Sequence, residues 1–317
     1  MKKIAILTRD CAGVNAAIRS VVRTASSFDI EVFGVIKGYD GLIDGNFKKL
    51  DRRSVSGIIN QGGTILKTSR SQRFFNESDQ EIAIKNLQNN DIEGLIVIGG
   101  NGSLTGAHII ATKYNFPVIG IPATIDNDIN GVDICLGVDT AVNVALESLD
   151  KIRDTATSLE RIFLVEVMGR ECGFLALQVA LAGGCEDVLV PEMDIDLDNM
   201  CNEILEGNKR GKISWIIIVA EGKAKAQDIG NIITNKTGLE TRVTVLGHIQ
   251  RGGRPTSNDR ILASYLGSYA FESLRNGITN HCVLMNNNKL STLPLNLAIK
   301  PKLIDVESYY NLIKRLI

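Results

Sequence analysis

The chain has 317 residues, 44% of them hydrophobic, and a formal net charge of −1 at pH 7. That length allows two domains with substantial cores, and the balanced charge argues against a nucleic-acid binder working by bulk electrostatics. The longest apolar runs, such as "WIIIVA" at 215–220, are too short to span a bilayer, so no membrane role is expected.

In chain order, the run "IAIL" at 4–7 reads as a first strand, too short for a secretory leader. A helical pattern follows over 15–27, then strand-like runs at 31–36, 94–99 and 117–122. Helical patterns over 103–114 and 141–156 come with them, and further strands are predicted at 162–168, 215–220 and 243–247, before a helix over 258–274. Most of these strands are rich in Val and Ile and apolar throughout, as parallel strands covered on both faces must be. The alternation predicts an α/β class with mainly parallel sheets. A domain break near Gly137 is expected. The six cysteines lie far apart with no CxxC pair, which disfavours a zinc site and a disulfide framework, so a soluble, reduced, intracellular protein is expected.

In such folds ligands bind beyond the carboxyl ends of the strands. Six of those ends carry polar clusters: "TRDCAGVN", "GGNGS", "PATIDND", "VMGRECG", "AEGK" and "LGHIQRGG". In "IGGNGSLTG", Gly99, Gly100 and Gly102 permit close backbone approach, and Ser103 stands at a helix start whose amides suit a phosphate. The alternative is a tight turn with no ligand. A dinucleotide fingerprint is excluded because Gly106 comes one residue late, and "GNKRGK" is too short for a Walker loop.

Asp126 and Asp128 flank Asn127 just past a strand end, with Thr124 two residues earlier. On an extended backbone the two carboxylates face opposite ways, one placed to deprotonate an alcohol and the other to hold a metal. An Asx-rich turn before Gly131 is the plainer reading. Arg170 follows the next strand, Arg161 opens it, and Arg242, His248 and Arg251 lie around the last one. Arginine forks suit phosphate oxygens, though each alone is more often a surface ion pair. Glu221 is either a turn residue or an acceptor for sugar hydroxyls. Taken together, a phosphate loop, a base, a metal carboxylate and an arginine cluster describe phosphoryl transfer to a phosphorylated small molecule.

The motifs "TIDND", "EVMGR", "IVAEG" and "ETRVTVLGHIQRGG", in this order and spacing, closely resemble the bacterial-type 6-phosphofructokinases over essentially the whole chain. The resemblance implies the phosphofructokinase fold, two similar three-layer α/β domains with mainly parallel sheets. The nucleotide domain would comprise residues 1–137 plus about 251–300, and the sugar-phosphate domain residues 138–250 plus about 301–317. It implies a cytoplasmic homotetramer that phosphorylates fructose 6-phosphate with ATP and Mg2+. A mixed assembly with a paralogue is the alternative.

Carried over by position, Asp126 is the expected base, Thr124 and Arg170 steady the transferred phosphoryl group, and Asp128 supports the metal. Met168, Gly169, Glu221, His248 and Arg251 are expected at fructose 6-phosphate, with Arg161 and Arg242 reaching a neighbouring subunit's site. Arg70, Gly102, Ser103 and Gly106 match nucleotide positions. Arg19, Arg23, Arg52, Arg153, Glu186, Arg210 and Lys212 fall where the family binds an ADP or phosphoenolpyruvate effector, with Arg53, Ile213 and Ser214 replacing residues common there.

The departures gather on the nucleotide side. "TRDCAGVN" is two residues shorter than the family's "TSGGDAPGMN" and lacks its paired glycines. Asn101 replaces a metal-binding aspartate, which weakens a hard cation's site. Ala123 stands where ATP-using members carry glycine. Three readings follow: an ATP-dependent kinase with a modified loop, a catalytically impaired sugar-phosphate-binding paralogue, and a pyrophosphate-dependent enzyme. The last typically carries aspartate at the position of Gly102 and lysine at that of Ala123.

Overall fold

A computed structural model describes residues 1–159, 161–194 and 196–317. Its strands are β1 (Lys3–Thr8), β2 (Glu31–Val35), β3 (Phe47–Leu50), β4 (Gly94–Gly99), β5 (Val118–Pro122), β6 (Ile162–Val167), β7 (Asp187–Leu189), β8 (Trp215–Ala220), β9 (Thr241–Val245), β10 (His281–Asn286) and β11 (Lys289–Pro294). The chain forms two units by its internal contacts: Met1–Thr124, Asp128–Thr140 and Arg251–Lys302 make the first; Ile125–Asn127, Ala141–Gln250 and Leu303–Ile317 make the second.

The first unit holds a seven-stranded sheet in the order β11-β10-β5-β4-β1-β2-β3. Its five inner strands pair in parallel, while β3 and β11 close the two edges antiparallel. Every residue of β4 and β5 is buried. Since successive side chains point to opposite faces, that pattern requires cover on both sides of the sheet. The edge strand β3 reads "FKKL", and its exposed lysines discourage further strand pairing.

The second unit holds a four-stranded parallel sheet in the order β7-β8-β6-β9. β8, "WIIIVA", is buried at every position. With Ile162, Leu164, Leu189, Ile204, Ile229 and Ile233 it forms this unit's core. β9 is an edge strand, half exposed, which leaves Arg242 at the surface.

The sheets fix where functional side chains go. In the first, the chain order reverses between β1 and β4; in the second, the connections leaving the neighbouring strands β8 and β6 run in opposite directions, to β9 and to β7. At such switch points the connections diverge and leave a crevice beyond the carboxyl ends. All six cysteines are buried, and among the described residues no helix is long and apolar enough to cross a membrane.

Candidate active site

At the switch point of the first sheet, Arg9 continues the ladder past β1 by donating its backbone N–H to Ile98 O at 2.9 Å. β4 ends in Gly99 and turns at Gly100 into the helix Asn101–Lys113. Ser103 N and Leu104 N both donate to Gly100 O at 3.0 Å, closing the first turn. A Cβ on Gly102 would meet nothing within 4 Å, so the outer side of this corner is open. Thr124 lies against it, its Cβ 3.1 Å from where a Cβ on Gly100 would stand. Arg70 is exposed on a coil segment of the same unit.

Gly106 has a packing reason to be glycine. An added Cβ would stand 2.6 Å from the ring of Tyr39, whose hydroxyl donates to Ser103 O at 2.7 Å. Burial pushes the Tyr39 phenol well above its usual range, so it remains a donor and props the corner from beneath. Sequence reasoning did not single out Tyr39, which lies 64 positions from Ser103; its only local signal is an aromatic at the start of a short helix.

The segment carrying the two aspartates is not extended, as the sequence reading assumed. Asn127, fully buried, has φ +54°, a left-handed turn that asparagine tolerates better than most residues. Asp126 and Asn127 accordingly belong with the second unit and Asp128 with the first.

In the second unit, β6 and β8 are in register through Val167↔Ala220, and Glu221 N extends the ladder to Val167 O at 2.9 Å. Glu221 therefore stands beside the turn Met168–Arg170. Its Oε1 accepts Gly169 N at 3.3 Å and Arg170 N at 3.0 Å. Arg170 has φ +52° and Gly169 φ +144°, so this carboxylate pins a turn that its own backbone does not favour. Arg170 Nε then lies 3.4 Å from Asp126 Oδ2, and Asp126 is only 4% exposed. Met168 N donates to Gln250 Oε1 at 2.9 Å, with Gln250 itself 1% exposed. Gln250 is a second residue the sequence reading passed over.

Thus Asp126, Met168, Gly169, Arg170 and Glu221 come together in one unit. His248 is exposed on the 3-10 turn Gly247–Arg251, and Arg251 opens the returning segment of the first unit. Arg161 and Arg242 converge on Glu240: Arg161 Nε donates to it at 2.7 Å, and Arg242 Nη2 pairs with its other oxygen.

The expected effector residues fall in both units. Arg19 and Arg23 lie on the helix Val14–Ser26, and Arg52 is exposed. Arg153 Nη2 donates to Gly183 O and Gly184 O, and Glu186 pairs with Lys212 at 3.1 Å. Arg153 and Glu186 flank Cys185, whose thiol burial pushes up to about 12. Lys212 also lies over the Trp215 ring, and Arg210 pairs with Glu206 on the surface.

For a divalent cation the donor set is spare. Asp128 offers a carboxylate and Asn101 a neutral amide oxygen, and among the described residues no group of three His, Cys, Asp or Glu side chains is gathered to hold a metal. A carboxylate with an amide oxygen is donor chemistry that Mg2+ accepts, since it keeps several waters and binds through one or two carboxylates plus substrate phosphates.

The family model for phosphofructokinase matches residues 3–274. The ATP-dependent 6-phosphofructokinase of Thermotoga petrophila is 49% identical over 304 residues, 95% of each chain. That of Bacillus subtilis is 48% identical over 318 residues, 100% of this chain and 99% of its own. Among solved structures, the T-state phosphofructokinase of Pichia pastoris aligns with a TM-score of 0.90 at 32% identity; the match covers 94% of this chain and 35% of that one. A pyrophosphate-dependent phosphofructokinase from Marinobacter aquaeolei, 20% identical with a TM-score of 0.82, shares the fold.

Proposed function

The chain belongs to the phosphofructokinase family, and from that premise we propose that it transfers the γ-phosphoryl group of ATP to the 1-hydroxyl of fructose 6-phosphate. Near-complete alignment at 48–49% identity with ATP-dependent 6-phosphofructokinases carries the reaction. The geometric observation that carries the chemistry is buried Asp126 with Arg170 Nε 3.4 Å from it.

In this reading Asp126 takes the proton of the sugar's 1-hydroxyl as that oxygen attacks the γ-phosphorus, and the bond to the bridging oxygen breaks to release ADP. Arg170, fixed through Glu221, steadies the charge on the transferring group, and Thr124 Oγ1 assists. Mg2+ held by the nucleotide's phosphates, Asp128 and the Asn101 amide supplies charge neutralisation when bound. Arg70, Gly102 and Ser103 hold the donor phosphates, with Gly106 seating Tyr39 beneath them. Met168, Gly169, Glu221, His248 and Arg251 hold the sugar phosphate. Arg161 and Arg242 serve a neighbouring copy in a homotetramer. Arg19, Arg23, Arg52, Arg153, Glu186, Arg210 and Lys212 form an effector site for ADP or phosphoenolpyruvate. A glycolytic role in the cytoplasm follows from this activity.

The test is a coupled assay of fructose 1,6-bisphosphate formation with Mg2+ and ATP, and with pyrophosphate in parallel. Turnover with ATP is expected. Turnover with pyrophosphate alone would overturn the donor assignment. Silence with both, while fructose 6-phosphate still binds, would leave an impaired sugar-phosphate-binding paralogue.

A further inference from the structure

Arg9 stands at the switch point of the first sheet with no part in the chemistry described so far. It is half-buried, and its backbone N–H is committed to Ile98 O. Its stem lies over Gly99, with Cγ 3.0 Å from where a Cβ on that glycine would stand. The guanidinium reaches across to a segment 60 positions further on: Nη1 donates to Ser69 O, and to Thr68 Oγ1 at 3.3 Å.

That segment, residues 67–70, lies in neither helix nor strand, so no ladder holds it. It is fastened from two sides instead. Arg9 takes the Ser69 carbonyl from the β1–β4 corner. The Ser69 hydroxyl is within hydrogen-bonding distance of Lys37 O, at 2.9 Å, and of an Asp40 carboxylate oxygen on the helix Gly38–Ile43. The next residue is Arg70, exposed and extending from this doubly tied backbone.

We propose that Arg9 is a positioning residue for the phosphoryl donor, holding the Thr68–Arg70 segment against the corner Gly99–Ser103 so that Arg70 is in place when the donor arrives. The inference rests on the donor site proposed above. A long arginine on a loose coil must be ordered as the ligand binds, and that cost is subtracted from affinity. A backbone fixed beforehand by a charge-assisted bond avoids most of it. Of the nearby acids, Asp40 accepts from Ser69, and Asp10 is exposed, its Oδ1 3.4 Å from where a Cβ on Gly63 would stand.

The experiment is calorimetric titration of the full chain with ATP and Mg2+, together with steady-state kinetics, for Arg9→Ala, Arg9→Lys, Arg70→Ala and the double variant Arg9→Ala/Arg70→Ala. Arg9→Ala should raise the Kd for ATP about tenfold, the scale of one charge-assisted hydrogen bond. Arg9→Lys should recover part of it, and the KM for fructose 6-phosphate should stay within about twofold, because Arg9 acts only on the donor side. The double variant should bind ATP no more weakly than Arg70→Ala alone, since Arg9 acts through Arg70. Wild-type affinity in Arg9→Ala would overturn the proposal, as would losses that multiply in full in the double variant. If the wild-type chain took up fructose 6-phosphate but no ATP, the donor site and this proposal would fall together. Arg9→Gln, which keeps the stem over Gly99, gives the same reading if Arg9→Ala does not fold.

Discussion

Glu221 Oε1 accepts the backbone N–H of Arg170 at 3.0 Å and that of Gly169 at 3.3 Å, so the carboxylate expected at a sugar hydroxyl is also the latch of the turn that presents Arg170. Arg170 sits at φ +52°, which costs a residue with a Cβ about 1 kcal/mol or more unless something holds it. Glu221→Ala should therefore lower kcat about tenfold or more, beyond any rise in the KM for fructose 6-phosphate. Glu221→Gln keeps a carbonyl oxygen for the two amides and should retain most of kcat. Steady-state kinetics of both variants decide it: a change confined to KM in Glu221→Ala would reduce Glu221 to a substrate ligand.

Asp126, the proposed base, is buried, with Arg170 Nε 3.4 Å from its Oδ2. Asp126→Asn preserves size and hydrogen-bonding capacity but cannot take the proton. It should lower kcat by about 10²–10⁴ while leaving fructose 6-phosphate binding within a few-fold of wild type. Binding by calorimetry alongside kcat checks both halves. Retained turnover would mean the proton goes elsewhere.

The neutral amide at Asn101 predicts a demand on metal concentration. On the proposed reading, in which Asp128 alone supplies a carboxylate, the protein would add little to the affinity that ATP already has for Mg2+. Asn101→Asp adds a second negative oxygen and should lower the Mg2+ concentration for half-maximal activity several-fold at fixed ATP. Titrating free Mg2+ measures this directly, and an unchanged midpoint would place residue 101 outside the metal's surroundings.

The parts of this molecule that read well from sequence are those whose signal is local. The seven apolar runs became β1, β2, β4, β5, β6, β8 and the half-exposed edge strand β9; most are apolar because strands buried on both faces must be so. β3, β7, β10 and β11 escaped notice: β7 has three residues, β3 carries two lysines, and the hairpin β10–β11 mixes polar and apolar positions as a half-exposed pair does. The site followed the same rule. Asp126, Arg170 and Glu221 were visible as polar residues at strand ends. Tyr39 under Ser103 and Arg9 on Ser69 were not, since each joins segments about sixty positions apart, and no periodicity encodes that. The φ of Asn127, which breaks the extended path assumed for Asp126 and Asp128, likewise depends on how the segment packs.

Far from the chemistry, Lys314 on the helix Val306–Arg315 bonds two acids of the second unit, Asp187 Oδ2 at 2.9 Å and Glu203 Oε2 at 2.7 Å. Asp187 is 3% exposed, and desolvation raises its carboxyl above the usual range despite this cation. Burial works against the charge on Lys314, but Glu203 and Asp187 outweigh it, so the ammonium persists to alkaline pH. Lys314→Ala strands a buried carboxylate and should cost about 3 kcal/mol, at the low end for a broken buried pair because the lysine is partly exposed. A carboxyl whose folded pKa is raised binds protons more readily folded than unfolded, so its contribution is fullest in acid and is lost as pH rises through the raised value. Without Lys314 that pKa moves further up. The variant's deficit against wild type should therefore be smaller near about pH 5 than near about pH 8. Removing both charges, in Asp187→Asn/Lys314→Met, should recover much of the stability, since no buried ion is left unpaired. Urea unfolding of the three proteins at the two pH values tests the argument. A deficit independent of pH, or a double variant no more stable than Lys314→Ala, would show that Lys314 acts by packing rather than by charge.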